Sequence, residues 1–110
     1  MNVDIDLAVI GGTGVYRLPG VQWQQSLALN TQYGEPSGAL RIAQIGGKHV
    51  AFLARHGEGH ALAPHRINYR ANLQALKQAG ASRILAINTV GGITQAYGPR
   101  VLAVPDQLID

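Results

Sequence analysis

Three short apolar runs, each ended by a cluster of polar residues and glycines, constrain the fold of this 110-residue chain most strongly. The runs span residues 5–10, 48–54 and 83–88. Apolar runs of this length that stop at such clusters are typical of buried strands entering loops. A helical pattern begins at Pro64 and ends at Ala79, and Gly80 follows it as a C-terminal cap. This order of strand, helix and strand predicts a mostly parallel sheet with a right-handed crossover.

Further elements complete the predicted sheet. Residues 40–45 form another apolar run, and Gly46 and Gly47 separate it from the run at 48–54 as in a tight hairpin. Residues 24–38 are polar and are interpreted as partly loop, while residues 101–104 are one more strand candidate. The sequence therefore predicts an α/β protein with a mixed, mostly parallel central sheet and flanking helices.

The helical pattern also predicts which side chains face the sheet. Tyr69, Leu73 and Leu76 recur at helical spacing and form the expected apolar face, with Ala75 and Ala79 beside them. Asn68, Tyr69 and Asn72 have two interpretations: ordinary polar groups of a helix, or braces for the loop that contains Arg55.

Composition and charge exclude several classes of protein. The net charge is +3, and the basic residues form neither runs nor a pattern with aromatic residues, so direct nucleic-acid binding is not predicted. The absence of cysteine excludes disulfides and thiolate metal sites. No apolar run reaches transmembrane length, and the first residues do not resemble a signal peptide. We expect a cytoplasmic protein whose mildly basic charge suits a small anionic ligand.

The share of charged residues is low, at 14%, while hydrophobic residues make up 46%. A chain of this size with so few charges is expected to leave apolar surface that something else covers. The rest of a longer chain or a partner subunit are the two expected covers.

The polar clusters after the three runs are candidate ligand-binding loops, because the carboxyl ends of parallel strands meet at one edge of a sheet. Glycines allow the backbone to approach a ligand closely, and Thr13 and Thr89 add hydroxyl donors. Arg55 offers a forked set of donors that suits phosphate, and His56 adds a further donor or a positive charge. The clusters are residues 11–14 (GGTG), 55–60 (RHGEGH) and 88–92 (NTVGG).

Each cluster has a structural alternative. The first is a plain strand-to-loop turn in the simplest interpretation. It lacks the last glycine of a dinucleotide fingerprint, because Arg17 occupies that position, and no P-loop lysine follows. His56 and His60 are four residues apart, but the glycines between them argue against the helix that a zinc-binding HExxH motif requires. No metal site is therefore predicted. Gly91 and Gly92 have close backbone packing as their alternative.

At these clusters the sequence resembles the methylthioadenosine phosphorylase and purine nucleoside phosphorylase family. IDLAVIGGTGVY resembles the family's N-terminal phosphate loop, and FLARHGEGHALAPHRINYRANLQALKQAG resembles its arginine-histidine segment and the helix after it. RILAINTVGGI is similar to the turn where phosphate, sugar and base meet, and VPDQLID to the next strand. RHGEGH and NTVGGI are most similar to the bacterial methylthioinosine phosphorylases. The resemblance implies that residues 1–110 are the N-terminal part of a single nucleoside phosphorylase domain.

The resemblance implies phosphorolysis of a purine nucleoside, 5'-methylthioinosine or 5'-methylthioadenosine, to a free purine and methylthioribose 1-phosphate in purine and methionine salvage. Thr89 departs from the alanine that the family often has, and adds a hydroxyl. No catalytic residue is assigned, since the family's base-reading residues lie beyond position 110. The matched phosphate-binding positions are Thr13, Arg55, His56, Asn88 and Thr89, and those near the base are Val90 and Gly91.

Further expectations follow from the same resemblance. Inorganic phosphate is a co-substrate, no metal or organic cofactor is needed, no nucleic acid or membrane is a partner, and the protein is a homo-oligomer, most simply a homotrimer. The chain stops at Asp110 in a manner that we interpret as an interruption, so the 110 residues alone are expected to be inactive. Two alternatives remain open: an inosine or guanosine phosphorylase of the same fold, and a non-catalytic, truncated phosphate-binding fragment.

Overall fold

A five-stranded sheet organises the chain in a computed structural model that describes residues 4–12, 14–57, 61–107 and 109. The strand order across the sheet is β2-β3-β4-β1-β5. Within the described residues, one α-helix, α1 (Tyr69–Gln78), connects β4 to β5. The strands are β1 (Leu7–Gly11), β2 (Gln22–Leu27), β3 (Leu40–Ile45), β4 (Lys48–Ala54) and β5 (Ile84–Ala86).

The strand directions confirm the predicted mixed sheet. β1 lies between β4 and β5 and pairs with both in parallel. β3 is antiparallel to both β2 and β4, so it is the one strand of the five that points the opposite way. The carboxyl ends of β4, β1 and β5 consequently lie side by side at one edge. The α/β class is confirmed, and so is the hairpin between β3 and β4.

Two apolar clusters lie on opposite faces of the sheet, since successive strand residues point to opposite faces. This two-sided burial explains why the strand runs are apolar without alternation. One cluster, between the sheet and α1, contains Ile5, Ala8, Leu40, Ile42, Ala51, Leu53 and Leu76. The other, against the 3₁₀ turn Val15–Arg17, contains Val9, Val15, Ala43, Val50, Phe52 and Ala54.

The sheet refines one predicted element and corrects two. Residues 24–38 are partly loop, as predicted, but β2 occupies the first part of them; its side chains are polar because it is an edge strand with one exposed face. β5 is shorter than the predicted strand at 83–88. Residues 101–104 form no strand, since no described segment pairs with them and a strand requires a partner.

The helix also differs from its prediction at its start and on its buried face. Pro64 begins a separate 3₁₀ turn, Pro64–Arg66, and α1 starts only after Asn68, whose side chain accepts a hydrogen bond from the Ala71 amide. Tyr69 and Leu73 are about half exposed, while the inward face is made of Ala71, Asn72, Ala75 and Leu76. Small alanines allow the helix to approach the sheet closely.

The predicted end of the helix is confirmed. Gly80 has a φ of +102°, and the Ala81 amide donates to the Leu76 carbonyl oxygen at 3.1 Å. The Gly80 amide donates to the Lys77 carbonyl oxygen at 3.0 Å, which completes a Schellman cap.

Candidate anion-binding site

The three polar clusters meet at the carboxyl edge of β1, β4 and β5, as the sequence predicts. A cavity of about 620 Å³ lies there. Gly11, Gly12 and Gly14 line it from the first cluster, Arg55 and His56 from the second, and Thr89 from the third. Thr13 lies outside the described residues, as do residues 58–60, so the structure does not test their predicted placement.

Arg55 is tied to the ends of both neighbouring strands. Its backbone amide donates to the Gly11 carbonyl oxygen at 2.8 Å, and its Nη2 donates to the Ile87 carbonyl oxygen at 2.9 Å. A guanidinium group has five N–H donors, so the bond to Ile87 leaves further donors for an anion. Arg55 therefore links the β1 and β5 ends and holds a positive charge at the cavity.

A backbone contact helps to orient the ring of His56. Its Nδ1 lies 2.8 Å from the carbonyl oxygen of Leu62. Since a carbonyl only accepts hydrogen bonds, Nδ1 carries the hydrogen.

Glycines shape the loops at this edge. Gly14 has a φ of +89° and begins the turn Val15–Arg17. At Gly11 a Cβ would lie 2.8 Å from the Val15 Cγ2 atom, so a larger residue would displace that packing. Gly57 has a φ of +78°, and a Cβ there would lie 2.9 Å from the Ser37 carbonyl oxygen. These glycines are required by backbone conformation and close contact as well as by any ligand.

Thr89 lines a second cavity of about 750 Å³ as well as the first. Asn88, Val90 and Gly91 line this second cavity and are absent from the lining of the first. The structure thus brings Arg55, His56 and Thr89 together and places Asn88, Val90 and Gly91 next to them. A Cβ at Gly92 would overlap with the Tyr97 carbonyl oxygen, so close packing explains this glycine.

Tyr16 is a further residue beside the site that no sequence pattern indicated. Its hydroxyl contacts Ala54, the residue immediately before the second cluster. Its hydroxyl donates to the Ala39 carbonyl oxygen at 3.0 Å and accepts from the Ala54 amide at 2.9 Å. The register that pairs Arg41 with Phe52 would place Ala39 opposite Ala54. The hydroxyl therefore stands between the strands where a direct bond between them would be, immediately before Arg55.

The environment of Tyr16 favours its neutral form. Burial raises the pKa of the Tyr16 hydroxyl above its ordinary value, and the Ala54 hydrogen bond and the Arg41 charge oppose this more weakly. The Arg41 guanidinium lies 4.3 Å from the centre of the tyrosine ring. Trp23 packs edge-on against both Tyr16 and Phe52. A half-buried, neutral hydroxyl can serve both backbone partners at once.

The described residues offer little support for other kinds of site. Among them, no group of three or more His, Cys, Asp or Glu side chains is placed to hold a metal ion. In the same part of the chain, none of the helices is long and apolar enough to cross a membrane.

Fold and site together define an α/β protein with a cavity at the carboxyl ends of parallel strands, lined by a guanidinium group, an imidazole ring and a hydroxyl. Residues 6–110 match the family model of the phosphorylase superfamily, and the chain belongs to that family. The predicted resemblance is confirmed.

Individual relatives agree with this assignment. A protein of Xanthomonas campestris named "Probable S-methyl-5'-thioinosine phosphorylase" is 63% identical over 106 residues, which are 96% of this chain and 42% of that protein. An S-methyl-5'-thioadenosine phosphorylase of Hyperthermus butylicus is 47% identical over 110 residues, 99% of this chain and 40% of that one. The chain thus spans about two fifths of the length of these curated relatives.

A solved structure is similar in three dimensions. It is a methylthioadenosine phosphorylase from an Antarctic soil metagenomic library, with a TM-score of 0.71 and 42% sequence identity. The match covers 78% of this chain and 30% of the other. The nucleoside phosphorylase-like fold class is therefore confirmed.

Proposed function

We propose that this chain supplies the phosphate-binding part of an enzyme that cleaves a purine nucleoside with inorganic phosphate. The observation that carries the proposal is the meeting of Arg55, His56 and Thr89 in one cavity, which adjoins a second cavity through Thr89. Two neighbouring cavities with a shared wall suit two substrates that react with each other. The names of the relatives, which are phosphorylases of methylthioinosine and methylthioadenosine, point to the same chemistry.

Each site residue has a proposed role. Arg55 and His56 hold phosphate by charge-assisted hydrogen bonds, and Thr13 and Thr89 add hydroxyl donors. Asn88 lines the adjoining cavity beside Thr89, and its proposed contact with phosphate is made from that side. In the adjoining cavity, Val90 and Gly91 lie beside the nucleoside.

The proposed reaction requires no covalent intermediate with the protein. A phosphate oxygen forms a bond to the anomeric carbon as the bond from that carbon to the purine nitrogen breaks, and the purine takes the electron pair and a proton. Positive charge develops on the sugar, so a phosphate anion held beside it stabilises the transition state. The residues of this chain contribute positioning and electrostatic stabilisation.

The proposed substrates are 5'-methylthioinosine and 5'-methylthioadenosine, the proposed products are the free base and methylthioribose 1-phosphate, and the only proposed co-substrate is inorganic phosphate. The test is phosphate-dependent release of base by the complete gene product from these two nucleosides, inosine and guanosine. We expect faster release from the methylthio nucleosides. Preference for inosine or guanosine would reassign the substrate, and phosphate binding without turnover would favour the non-catalytic alternative.

The homotrimer, the cytoplasmic location and independence from cofactors complete the proposal. The mass of the assembly in solution, measured by light scattering after size exclusion, tests the trimer. Activity after exhaustive treatment with a chelator tests independence from metal. We also expect the isolated 110 residues to be inactive, which the same assay of base release checks.

A further inference from the structure

Asn72 is a buried polar residue on the inward face of α1, with only 2% of its surface exposed. Both ends of its side-chain amide bind Ser37, which lies in the loop before β3. Its Oδ1 accepts from the Ser37 amide at 2.7 Å, and its Nδ2 donates to the Ser37 Oγ at 3.1 Å. The helix therefore fixes both the backbone and the hydroxyl of one serine.

Ser37 in turn contacts the turn that carries Arg55 and His56. Its Oγ donates to the Arg55 carbonyl oxygen at 2.6 Å. Its own carbonyl oxygen lies so close to Gly57 that a Cβ there would be 2.9 Å away. Ser37 thus meets this turn through its hydrogen bond to Arg55, and its carbonyl oxygen fills the space that a side chain at Gly57 would need.

We propose that Ser37 and Asn72 are positioning residues that set residues 55–57 for binding of the anion, an inference that rests on the proposed function. The Arg55 carbonyl belongs to the same rigid peptide plane as the His56 amide. A hydrogen bond to that oxygen therefore fixes the orientation of this peptide plane, and with it the direction of the His56 side chain from the backbone. The bonds from Arg55 to Gly11 and Ile87 fix the other side of the turn.

The hydrogen bonds from Asn72 to Ser37 and from Ser37 to the Arg55 carbonyl form a relay with a fixed direction from donor to acceptor. This direction suggests a variant that distinguishes positioning of the turn from support of the fold. The Ser37 hydroxyl has one hydrogen, and it is given to the Arg55 carbonyl because Asn72 Nδ2 is a donor. In Asn72→Asp, an acceptor of similar shape replaces that donor. The hydroxyl then donates to the carboxylate, and the Arg55 carbonyl loses its hydrogen bond although Ser37 is intact.

The experiment measures phosphate affinity of the complete gene product by calorimetry, and KM for phosphate and for nucleoside by steady-state kinetics. We expect Ser37→Ala and Asn72→Asp each to weaken phosphate binding about tenfold, with an unchanged KM for nucleoside. Ser37→Thr keeps the hydroxyl and is expected to restore affinity. Asn68→Ala is the matched control, because it removes the cap of the same helix and the bond to the Tyr33 carbonyl but no bond of this relay.

The results distinguish failure of the proposed function from failure of the positioning role alone. If the unaltered protein does not bind phosphate, the proposed function fails and this inference fails with it. If it binds phosphate and Ser37→Ala binds equally well, only the positioning role is overturned. An equal loss in Asn68→Ala would also overturn it, since general destabilisation of the helix would then explain the effect.

Discussion

The packed region before residue 83 and the region from Ile84 onward contain similar apolar residues. Among the described residues, a core of buried apolar side chains forms only in the first region. All of the buried hydrophobic residues among those described lie between Ile5 and Leu76. In the second region, exposure of large apolar side chains ranges from 44% at Ile84 to 101% at Ile93. Apolar side chains form a core only where a second layer covers them, and α1 and the turn Val15–Arg17 supply that layer for the first region alone.

The candidate site lies across the boundary between these regions. Arg55 and His56 belong to the packed region, where the Ser37 hydroxyl donates to the Arg55 carbonyl oxygen and the Arg55 amide donates to the Gly11 carbonyl oxygen. Thr89 and the second cavity belong to the exposed region. We therefore expect the phosphate side to be rigid and the nucleoside side to depend on whatever covers the residues after Ile84.

The largest expected effect compares one leucine from each region. Leu76→Ala in the complete gene product should lower the free energy of unfolding by about 2–5 kcal/mol, because Leu76 is fully buried between α1 and the sheet. Leu102→Ala should cost less than about 0.5 kcal/mol if nothing outside these 110 residues covers that side chain, which is 91% exposed among them. Urea unfolding measures both. Equal costs would show that another part of the protein packs on Leu102.

A second variant removes the positive charge on the packed side of the site. Arg55→Ala should lose about 2–4 kcal/mol of transition-state stabilisation, measured as kcat/KM, because the anion would lose its forked donor. Arg70→Ala removes an exposed arginine on α1 and serves as the control. Unchanged turnover and unchanged apparent phosphate affinity in Arg55→Ala would exclude the proposed role.

The smallest expected effect concerns the Tyr16 hydroxyl. Tyr16→Phe should cost about 1–2 kcal/mol of stability, because it removes the partner of the Ala39 carbonyl and the Ala54 amide. Thermal or urea unfolding at neutral pH measures this cost. No loss of stability would mean that β3 and β4 close to form a direct bond.

The difference in stability between the unaltered protein and Tyr16→Phe should also depend on pH. Since burial raises the pKa of Tyr16 above its ordinary 10.0, the folded state keeps a proton that the unfolded state loses above that pH. The contribution to stability is therefore complete below pH 10 and falls as the pH rises through the folded-state pKa. The difference between the unaltered protein and Tyr16→Phe should shrink in that range, and a constant difference would contradict this account.

Much of the fold was predictable because local chemistry specifies it. Gly46 and Gly47 both have positive φ angles and form the turn of the predicted hairpin, and Gly80 ends the predicted helix. β2 was not predictable from apolar content, because an edge strand with an exposed face carries polar residues such as Gln22 and Gln25. The buried face of α1 was predicted only in part: Leu76 is buried as expected, whereas Tyr69 and Leu73 are exposed. The face also contains Asn72, a polar residue that bonds to Ser37 and that no apolar pattern indicates.

The residue types that end each central strand could be read from the sequence alone, since the donor groups of arginine, histidine and threonine are properties of each residue. The order of strand, helix and strand also indicated a parallel crossover. The tertiary structure was needed to show that Arg55 donates to the Ile87 carbonyl, that the Tyr16 hydroxyl joins Ala39 to Ala54, and that Ser37 joins Asn72 to the Arg55 turn. These contacts join residues 18 to 38 positions apart. The packing of the whole sheet sets their distances, so no local sequence pattern specifies them.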